Sequence, residues 1–212
     1  MRGRFITFEG IEGVGKSTQL LLAARHLRER GIVPLVTREP GGTPLAEALR
    51  ALILQPRAEP IGATAELLMV FAARASHVAD LIAPALGRGQ WVLCDRFTDA
   101  TEAYQGAGRG IDVRSIGQLA GIAHPGLEPD LTLLLDAPPA LALTRAAGRG
   151  AGADRFETED AAFFERVRHG YLGIAAREAA RVRLIDATGT ASQVAAAVAS
   201  ELDRRFPVGE IR

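Results

Sequence analysis

The chain has 212 residues, of which 48% are hydrophobic and 5% aromatic, and its 25 basic residues balance its 25 acidic ones. This length suits one α/β domain with an aliphatic core, and zero net charge argues against a primary nucleic-acid binder. The single cysteine, Cys94, excludes an intrachain disulfide framework and favours a reducing compartment. Because no apolar run approaches the roughly 20 residues of a membrane span, and no signal-peptide region follows Met1, we expect a cytoplasmic protein without a membrane segment.

Five short apolar runs predict the strands of a parallel sheet. They are continuous rather than alternating, as in strands that are buried on both faces, and they end in Glu, Thr or Asp. Stretches with helical spacing separate them, so strand alternates with helix as in a doubly wound α/β fold. The predicted strands are 4–9, 33–37, 91–95, 131–136 and 182–186. The predicted helices are 17–30, 45–54, 63–86, 113–123, 139–147, 159–180 and 191–206.

The segment Gly10-Ile11-Glu12-Gly13-Val14-Gly15-Lys16-Ser17 has the pattern G-x-x-x-x-G-K-[ST] of a phosphate-binding loop, between a predicted strand and a predicted helix. Its glycines let backbone N–H groups approach a phosphate, and the helix N-terminus adds partial positive charge. Lys16 is the only lysine of the chain and is expected to reach the β- and γ-phosphates. The Ser17 hydroxyl is expected to bind Mg²⁺, so the sequence predicts a nucleoside triphosphate site with magnesium.

The remaining sequence narrows the class of phosphate-loop protein. The chain contains no asparagine, so the Asn-Lys-x-Asp motif that reads guanine in GTPases is absent. A small phosphotransferase remains, which needs a carboxylate on the metal side, cations for the transferred phosphoryl group, an acceptor pocket and a lid. Two alternatives stay open: another nucleoside or nucleotide kinase of the same fold, and a nucleotide-dependent switch without phosphotransfer.

Two carboxylates at predicted strand ends compete for the metal-side role. Asp95 ends the third strand and is followed at once by Arg96, which pairs an acid with a phosphate-binding cation. Asp136 ends the fourth strand, where capping of the helix after Pro138 is the favoured interpretation. Two glycine-rich stretches, 105–112 and 148–154, are candidate mobile lids, because glycine keeps many backbone states open.

Taken together, these segments resemble the thymidylate kinase family over residues 5–198. The most specific segments are Arg38-Glu39-Pro40-Gly41-Gly42-Thr43, Asp95-Arg96-Phe97 and Ala103-Tyr104-Gln105-Gly106. Phe8 to Thr18, Leu68 to Arg74 and Asp154 to Glu157 match in the same order. The resemblance implies a P-loop NTPase fold, a five-stranded parallel sheet flanked by helices, with one nucleoside-monophosphate-kinase domain over 1–212 and a short lid at about 145–157. It also implies transfer of the γ-phosphate of ATP to dTMP.

The resemblance implies roles for residues of the acceptor site. Phe71 is similar to the ring that stacks on thymine, and Arg74 to the donor to a thymine carbonyl. Arg96, assisted by Arg38, is similar to the residue that holds the acceptor phosphate. The remaining implied contacts to dTMP are Glu39 and Pro40 near the sugar and metal, Thr101 and Gln105 at the base edge, and Tyr104 beside the deoxyribose.

The resemblance also implies the donor and lid residues. The loop from Gly10 to Thr18 is expected to bind ATP, and Ser17 and Asp95 are expected to hold Mg²⁺. Catalysis is expected from Lys16, Asp95, Arg96 and Arg149, where the lid arginine Arg149, or failing that Arg145 or Arg155, supplies charge that the loop lacks. One departure is Ala100, where family members often have Ser, which removes a polar contact to the base. The family further suggests a homodimer through apolar helix faces.

Overall fold

The structure is a computed structural model that describes residues 2–56, 58–147, 155 and 159–207. Five parallel strands form one sheet in the order β2-β3-β1-β4-β5. Their bounds are Phe5–Glu9 (β1), Leu35–Arg38 (β2), Val92–Asp95 (β3), Leu131–Asp136 (β4) and Val182–Asp186 (β5). The expected five-stranded parallel α/β sheet is confirmed, and all five strands lie within two residues of their predicted limits.

Helices connect the strands and cover the sheet. They are Lys16–Glu29 (α1), Pro44–Leu54 (α2), Ala63–His77 (α3), Ala83–Gly87 (α4), Thr98–Thr101 (α5), Val113–Ala123 (α6), Pro139–Ala147 (α7), Ala161–Arg177 (α8) and Ala191–Arg205 (α9). Two π-helical segments, Val78–Ile82 and Glu102–Gly108, continue α3 and α5 respectively. Since π-helix is uncommon and often marks functional sites, the second segment is notable for carrying Tyr104 and Gln105.

The sheet separates two buried clusters, as its alternating side chains require. Ile6 and Leu93 belong to the larger cluster, which includes residues of α1, α8 and α9. Phe5 and Cys94 belong to a smaller cluster with Ile82 from the π-helical continuation of α3. Both faces of the central strands are therefore buried, which explains their continuous apolar sequences.

The stretch 105–112, expected to be a mobile lid, is instead packed structure through Gly108. Gln105 and Gly106 are buried in the second π-helical segment. A Cβ on Gly108 would lie 2.7 Å from the Phe163 ring, so this glycine permits close packing against α8. The prediction of a lid here is wrong because glycine spacing alone does not distinguish flexibility from close packing. The other predicted lid, 148–154, lies outside the described residues.

The continuous helix Ala63–Gly87 passes a length and hydropathy test for a membrane span, with a mean hydropathy of 1.4 over its most apolar window. The sequence has no uninterrupted apolar run of that length, and this helix reaches it only with its polar residues included. Its interior carries Glu66, Arg74 and His77, all buried and hydrogen-bonded to side chains of neighbouring elements. Polar contacts of this kind are typical of a core helix of a globular protein.

Candidate active site

The loop that follows β1 bends tightly around the start of α1. Gly13 has a φ of 80°, and a Cβ on it would lie 1.8 Å from the carbonyl oxygen of Ala142 in α7. Gly15, with a φ of 93°, precedes α1, and no described side chain caps this helix end. The first N–H groups of α1 and its helix dipole therefore offer a favourable place for an anion.

Lys16 lies folded over this loop. Its Nζ donates hydrogen bonds to the carbonyl oxygens of Gly10, at 3.0 Å, and Ile11, at 2.8 Å. Burial, followed by the charge of Arg96, lowers the pKa of Lys16 to about 8. A phosphate beside Lys16 would favour its charged form and raise this pKa again. Ile11 and Val14 are buried in the core, so only their backbone is available to a phosphate.

A cavity with an empty volume of about 690 Å³ lies beside the loop, at the carboxyl ends of β1, β2 and β3. The Ser17 hydroxyl donates to Oδ2 of Asp95 at 3.0 Å. Asp136 instead accepts two hydrogen bonds from Arg168, at 2.7 and 2.8 Å. Asp95 is therefore the strand-end carboxylate beside the loop. We call this space the donor cavity, and its lining residues are Glu12, Gly13, Gly15, Lys16, Ser17, Thr18, Arg38, Glu39, Arg50, Asp95 and Arg96.

Arg96 has a left-handed backbone with a φ of 73°, which is uncommon for a residue with a side chain. Its NH1 donates to the carbonyl oxygen of Gly10 at 3.0 Å and to the Tyr171 hydroxyl at 2.9 Å. Its NH2 donates to Glu12 at 2.7 Å and to the Tyr104 hydroxyl at 3.1 Å. Four hydrogen bonds of 2.7 to 3.1 Å thus hold the guanidinium in one place, in the manner of a preorganised anion site.

A second cavity, with an empty volume of about 570 Å³, adjoins the donor cavity. The two linings share Glu12, Glu39, Arg50 and Arg96. We call this space the acceptor cavity. Its other lining residues are Pro40, Ile53, Leu54, Val70, Arg74, Phe97, Ala100, Thr101, Tyr104 and Gln105. The donor cavity beside the phosphate loop therefore leads past Arg50 and Arg96 into the smaller, largely apolar acceptor cavity.

Arg74 is 2% exposed and lies at the wall of the acceptor cavity. Its Nε donates to Glu39 at 2.7 Å, and its NH2 donates to the Phe97 carbonyl and to Thr101 Oγ1, both at 3.0 Å. Its NH1 is buried without a hydrogen-bond partner. A buried unpaired donor of a charged group is costly, and a ligand oxygen in the adjoining cavity would give it a partner.

Glu39 is engaged from two sides. Besides the hydrogen bond from Arg74, Oε1 of Glu39 lies 2.9 Å from Nδ1 of His77. The other ring nitrogen of His77, Nε2, lies 2.7 Å from Thr37 Oγ1. Burial acts to raise the pKa of Glu39, but Arg74 and His77 outweigh it and the pKa lies below its usual range. His77 is itself fully buried.

Phe71 does not have the position that the resemblance implied. Val70, one residue earlier, lines the acceptor cavity, whereas Phe71 packs with Leu67 and Ile116 in a separate buried cluster. The Arg74 guanidinium lies 4.8 Å from the centre of the Phe71 ring. The prediction that Phe71 stacks on a base is corrected: its ring supports Arg74 from behind. Adjacent helix residues point about 100° apart, so a shift of one position changes the face.

Apart from Arg38, the other residues implied at the acceptor site line its cavity. Thr101 accepts from Arg74, and Gln105 donates its amide to Glu66 at 2.7 Å. Tyr104 donates its hydroxyl to Glu12, and its ring lies 4.7 Å from the Arg96 guanidinium. Pro40 and Ala100 also line the cavity, while Arg38 pairs with Glu47 at 3.0 Å at the donor cavity.

Sequence reasoning missed two residues beside the site. Glu9, fully buried at the end of β1, accepts from the Phe97 N–H at 2.7 Å and from the Tyr171 hydroxyl at 2.8 Å. Burial, followed by the charge of Asp99, raises the pKa of Glu9 to about 8. Arg50 lines both cavities, and no motif marks it. The signal for Glu9 was present, since an acidic residue ends an apolar strand directly before the loop.

Two of the three lid arginine candidates have defined partners. Arg145 donates to the carbonyl oxygens of Ala187, at 2.7 Å, and Thr188, at 2.8 Å. Arg155 bonds to the Ile53 carbonyl at 3.0 Å and pairs with Glu66. Arg149 lies outside the described residues. In this conformation Arg145 is directed to the loop after β5 and Arg155 to the end of α2.

Comparisons with known proteins agree on one family. The family model described as thymidylate kinase matches residues 8–198. A thymidylate kinase of Teredinibacter turnerae is 58% identical over 92% of this chain and 94% of its own length, and one of Chromohalobacter salexigens is 54% identical over 96% and 97%. The crystal structure of thymidylate kinase from Ehrlichia chaffeensis has a TM-score of 0.77 at 35% identity and covers 95% of this chain and 99% of its own. The chain belongs to the thymidylate kinase family.

Proposed function

We propose that the two joined cavities carry out the family reaction, in which the γ-phosphate of ATP passes to dTMP and gives dTDP for DNA precursor synthesis. The observation that carries the assignment of the acceptor is Arg74, whose NH1 is buried and unpaired at the wall of the acceptor cavity. A thymine carbonyl oxygen would satisfy it.

On the donor side, ATP binds along the loop from Gly10 to Thr18. Backbone N–H groups of the loop and of the first turn of α1 hold the phosphates. Lys16 leaves the carbonyl oxygens of Gly10 and Ile11 for the β- and γ-phosphates. Its pKa of about 8 in the free protein favours this exchange, because the ammonium is poorly solvated where it lies.

Mg²⁺ fits the donor cavity through Ser17 and Asp95. Their oxygen atoms lie 3.0 Å apart, and a hydroxyl and a carboxylate are hard ligands of the kind that Mg²⁺ prefers. Among the described residues no group of three or more His, Cys, Asp or Glu side chains could hold a metal alone, so triphosphate oxygens and water would supply the other ligands. When bound, Mg²⁺ neutralises charge on the transferred phosphoryl group.

On the acceptor side, the phosphate of dTMP lies between the cavities, where Arg96 and Arg50 line both. Arg38 at the donor cavity adds charge to the same region. Glu12 and Tyr104 hold the Arg96 guanidinium, so Arg96 needs little reorganisation to bind a phosphate. Glu12 was expected among the ATP contacts, but its carboxylate acts on the acceptor side by holding Arg96.

The base of dTMP enters the apolar end of the acceptor cavity. Arg74 donates to a thymine carbonyl, and Gln105 and Thr101 lie at the polar edge of the thymine ring. Val70 and the Phe97 ring form apolar walls, and Tyr104 lies beside the sugar with Glu39 and Pro40. Specificity follows because a wrong base leaves these buried polar groups unpaired.

The reaction needs no strong general base, since the attacking phosphate oxygen of dTMP is already anionic. Lys16 and Arg96 hold the two reacting groups and compensate charge, so catalysis is positioning plus electrostatic stabilisation. Arg149 is proposed to complete the site from the lid, with Arg145 or Arg155 in its place if it does not. Separate alanine substitutions of the three arginines test this. Unchanged turnover in all three variants would mean that Lys16 and Mg²⁺ compensate the charge of the transferred phosphoryl group without a lid arginine.

A cytoplasmic homodimer completes the proposal. Exposed apolar side chains on three helices support an interface: Leu45 and Leu52 on α2, Leu68 on α3, and Val113 and Ile122 on α6. α3 packs against both α2 and α6, so the three helices are neighbours. Sedimentation equilibrium distinguishes a dimer from a monomer.

An acceptor panel tests the function. ADP release is measured with ATP, Mg²⁺ and, in turn, dTMP, dUMP, AMP, CMP and GMP. We expect dTMP to give the highest kcat/KM. Preference for a purine acceptor would refute the assignment of the acceptor cavity, and ATP binding without acceptor-dependent ADP release would favour a switch.

A further inference from the structure

Glu66 is a buried carboxylate that the reaction above does not use. It belongs to α3, two turns before Arg74, and is 0% exposed. A buried carboxylate is expensive unless it is paired and hydrogen-bonded, so its partners indicate why it is there.

Three side chains converge on the two oxygens of Glu66. Gln105 Nε2 donates to Oε1 at 2.7 Å. Arg109 lies 3.4 Å from each oxygen, through its Nε and NH2. Arg155 pairs with Oε2. Two guanidinium groups compensate the charge, while the amide contact joins Glu66 to a residue that lines the acceptor cavity.

This contact decides which way the Gln105 amide faces. A carboxylate between two arginines only accepts hydrogen bonds, so the amide nitrogen has to turn toward it. Gln105 is 3% exposed, so water does not replace this contact if it is lost, and a buried amide without a partner is costly. The carbonyl oxygen of the amide is then the atom left for the cavity.

Arg74 and Gln105 together consequently offer one donor and one acceptor to a base. Arg74 supplies the donor through its NH1, and Gln105 supplies the acceptor. Thymine has the complementary pair, a carbonyl oxygen at C4 and an N–H at N3. Cytosine has the reverse pair, an amino group at C4 and an unprotonated N3.

We propose that Glu66 is a positioning residue that sets the choice of thymine over cytosine by fixing the orientation of the Gln105 amide. This inference rests on the proposed function and adds to it the origin of the base preference. Glu66 touches no substrate and acts through Gln105 alone.

The test compares dTMP with dCMP as acceptors for the wild type and for Glu66→Gln, at saturating ATP. A glutamine at 66 offers both an oxygen and an NH2 group, so the Gln105 amide is free to turn over. We expect the ratio of kcat/KM for dTMP to that for dCMP to fall about tenfold or more, mainly through a higher KM for dTMP. Asp99→Asn, which removes a buried carboxylate paired with Arg181, is the matched control and should keep the ratio.

A double-mutant cycle separates positioning from general destabilisation. In a Gln105→Leu background, Glu66→Gln should leave the ratio unchanged, because the amide through which Glu66 acts is gone. Glu66→Asp keeps the carboxylate but places it one methylene further back, so it should lower the ratio less than Glu66→Gln. If the glutamine variant does not fold, the aspartate variant is used for the test in its place. A folded variant at 66 with the wild-type ratio would overturn the inference. A wild type without preference for dTMP would instead refute the proposed function.

Discussion

The donor and acceptor sides of the site are built in different ways. The donor side comes mainly from consecutive residues, Gly10 to Thr18, whose backbone follows β1 and starts α1, and Asp95 at the end of β3 contacts Ser17. The acceptor side comes from side chains of α2, α3, α5 and the π-helical segment after α5. Backbone contacts survive most substitutions, whereas a network of side chains does not, so the two sides should respond differently to mutation.

The largest expected effect is on the donor side. Lys16→Ala should lower kcat by about 10³-fold, because the γ-phosphate loses its charged donor at the loop. The fold should survive, since Lys16 bonds only to loop carbonyls in the free protein. Steady-state turnover and thermal unfolding measure both quantities, with Arg28→Ala on the exposed side of α1 as control. Near-normal turnover would contradict the role of Lys16.

On the acceptor side, Arg74→Lys should lower kcat/KM for dTMP by about 10–100-fold and leave the KM for ATP nearly unchanged. A lysine keeps the charge but cannot contact Glu39, Thr101 and the base at once, as the planar fork of arginine does. Kinetics with each substrate varied in turn check the prediction, and Arg114→Lys, an exposed change of the same kind, is the control. An equal rise in the KM for ATP would contradict the proposal that the donor and acceptor sides respond independently to mutation.

Where the two sides meet, Glu9 should make stability depend on pH. Its pKa is about 8 in the folded protein against an ordinary value of 4.5, so between these values only the folded state holds the proton. The free energy of unfolding should therefore fall as pH rises from about 5 to 8, with a slope of up to about 1.4 kcal/mol per pH unit, and level off above 8.

Glu9→Gln keeps the shape and removes this titration. Urea unfolding at pH 5, 6, 7 and 8 should give a flatter profile for the variant than for the wild type. Parallel profiles would mean that Glu9 is charged in the folded protein across the range, and that Tyr171 and the Phe97 N–H stabilise it as a carboxylate.

The smallest expected effect concerns Ala100, which lines the acceptor cavity with a methyl group. Ala100→Ser adds a hydroxyl at the base edge and should lower the KM for dTMP about two- to tenfold, the value of one net hydrogen bond. Ala123→Ser on α6, away from the cavity, is the control. A higher KM would indicate that the hydroxyl finds no partner and that the apolar wall matters more.

Much of the donor side could be predicted from the sequence because its physics is local. The spacing of Gly10, Gly15 and Lys16 determines both the turn and the position of the cation. The sequence favoured Asp95 over Asp136, and in the structure Asp95 accepts from Ser17 while Asp136 accepts from Arg168, 32 residues further along.

The acceptor side could be predicted less completely, since its residues act through partners distant in sequence. The resemblance implied the roles of Arg74, Thr101 and Gln105, and their places at the cavity agree with it. It also implied stacking by Phe71, which instead lies behind Arg74, because a one-residue step on a helix changes the face. The glycines of 105–112 indicated flexibility, but α8 packs against them.

The sequence by itself determined the sheet, the phosphate loop and the family, because hydrophobic periodicity and the loop motif depend on residues close together in the chain. The tertiary structure decided which buried polar groups meet: Glu39 with Arg74 and His77, Glu9 with Tyr171, and Glu66 with Gln105. Such pairs join residues 35 or more positions apart, and a buried charge is stable only where the fold brings it a partner.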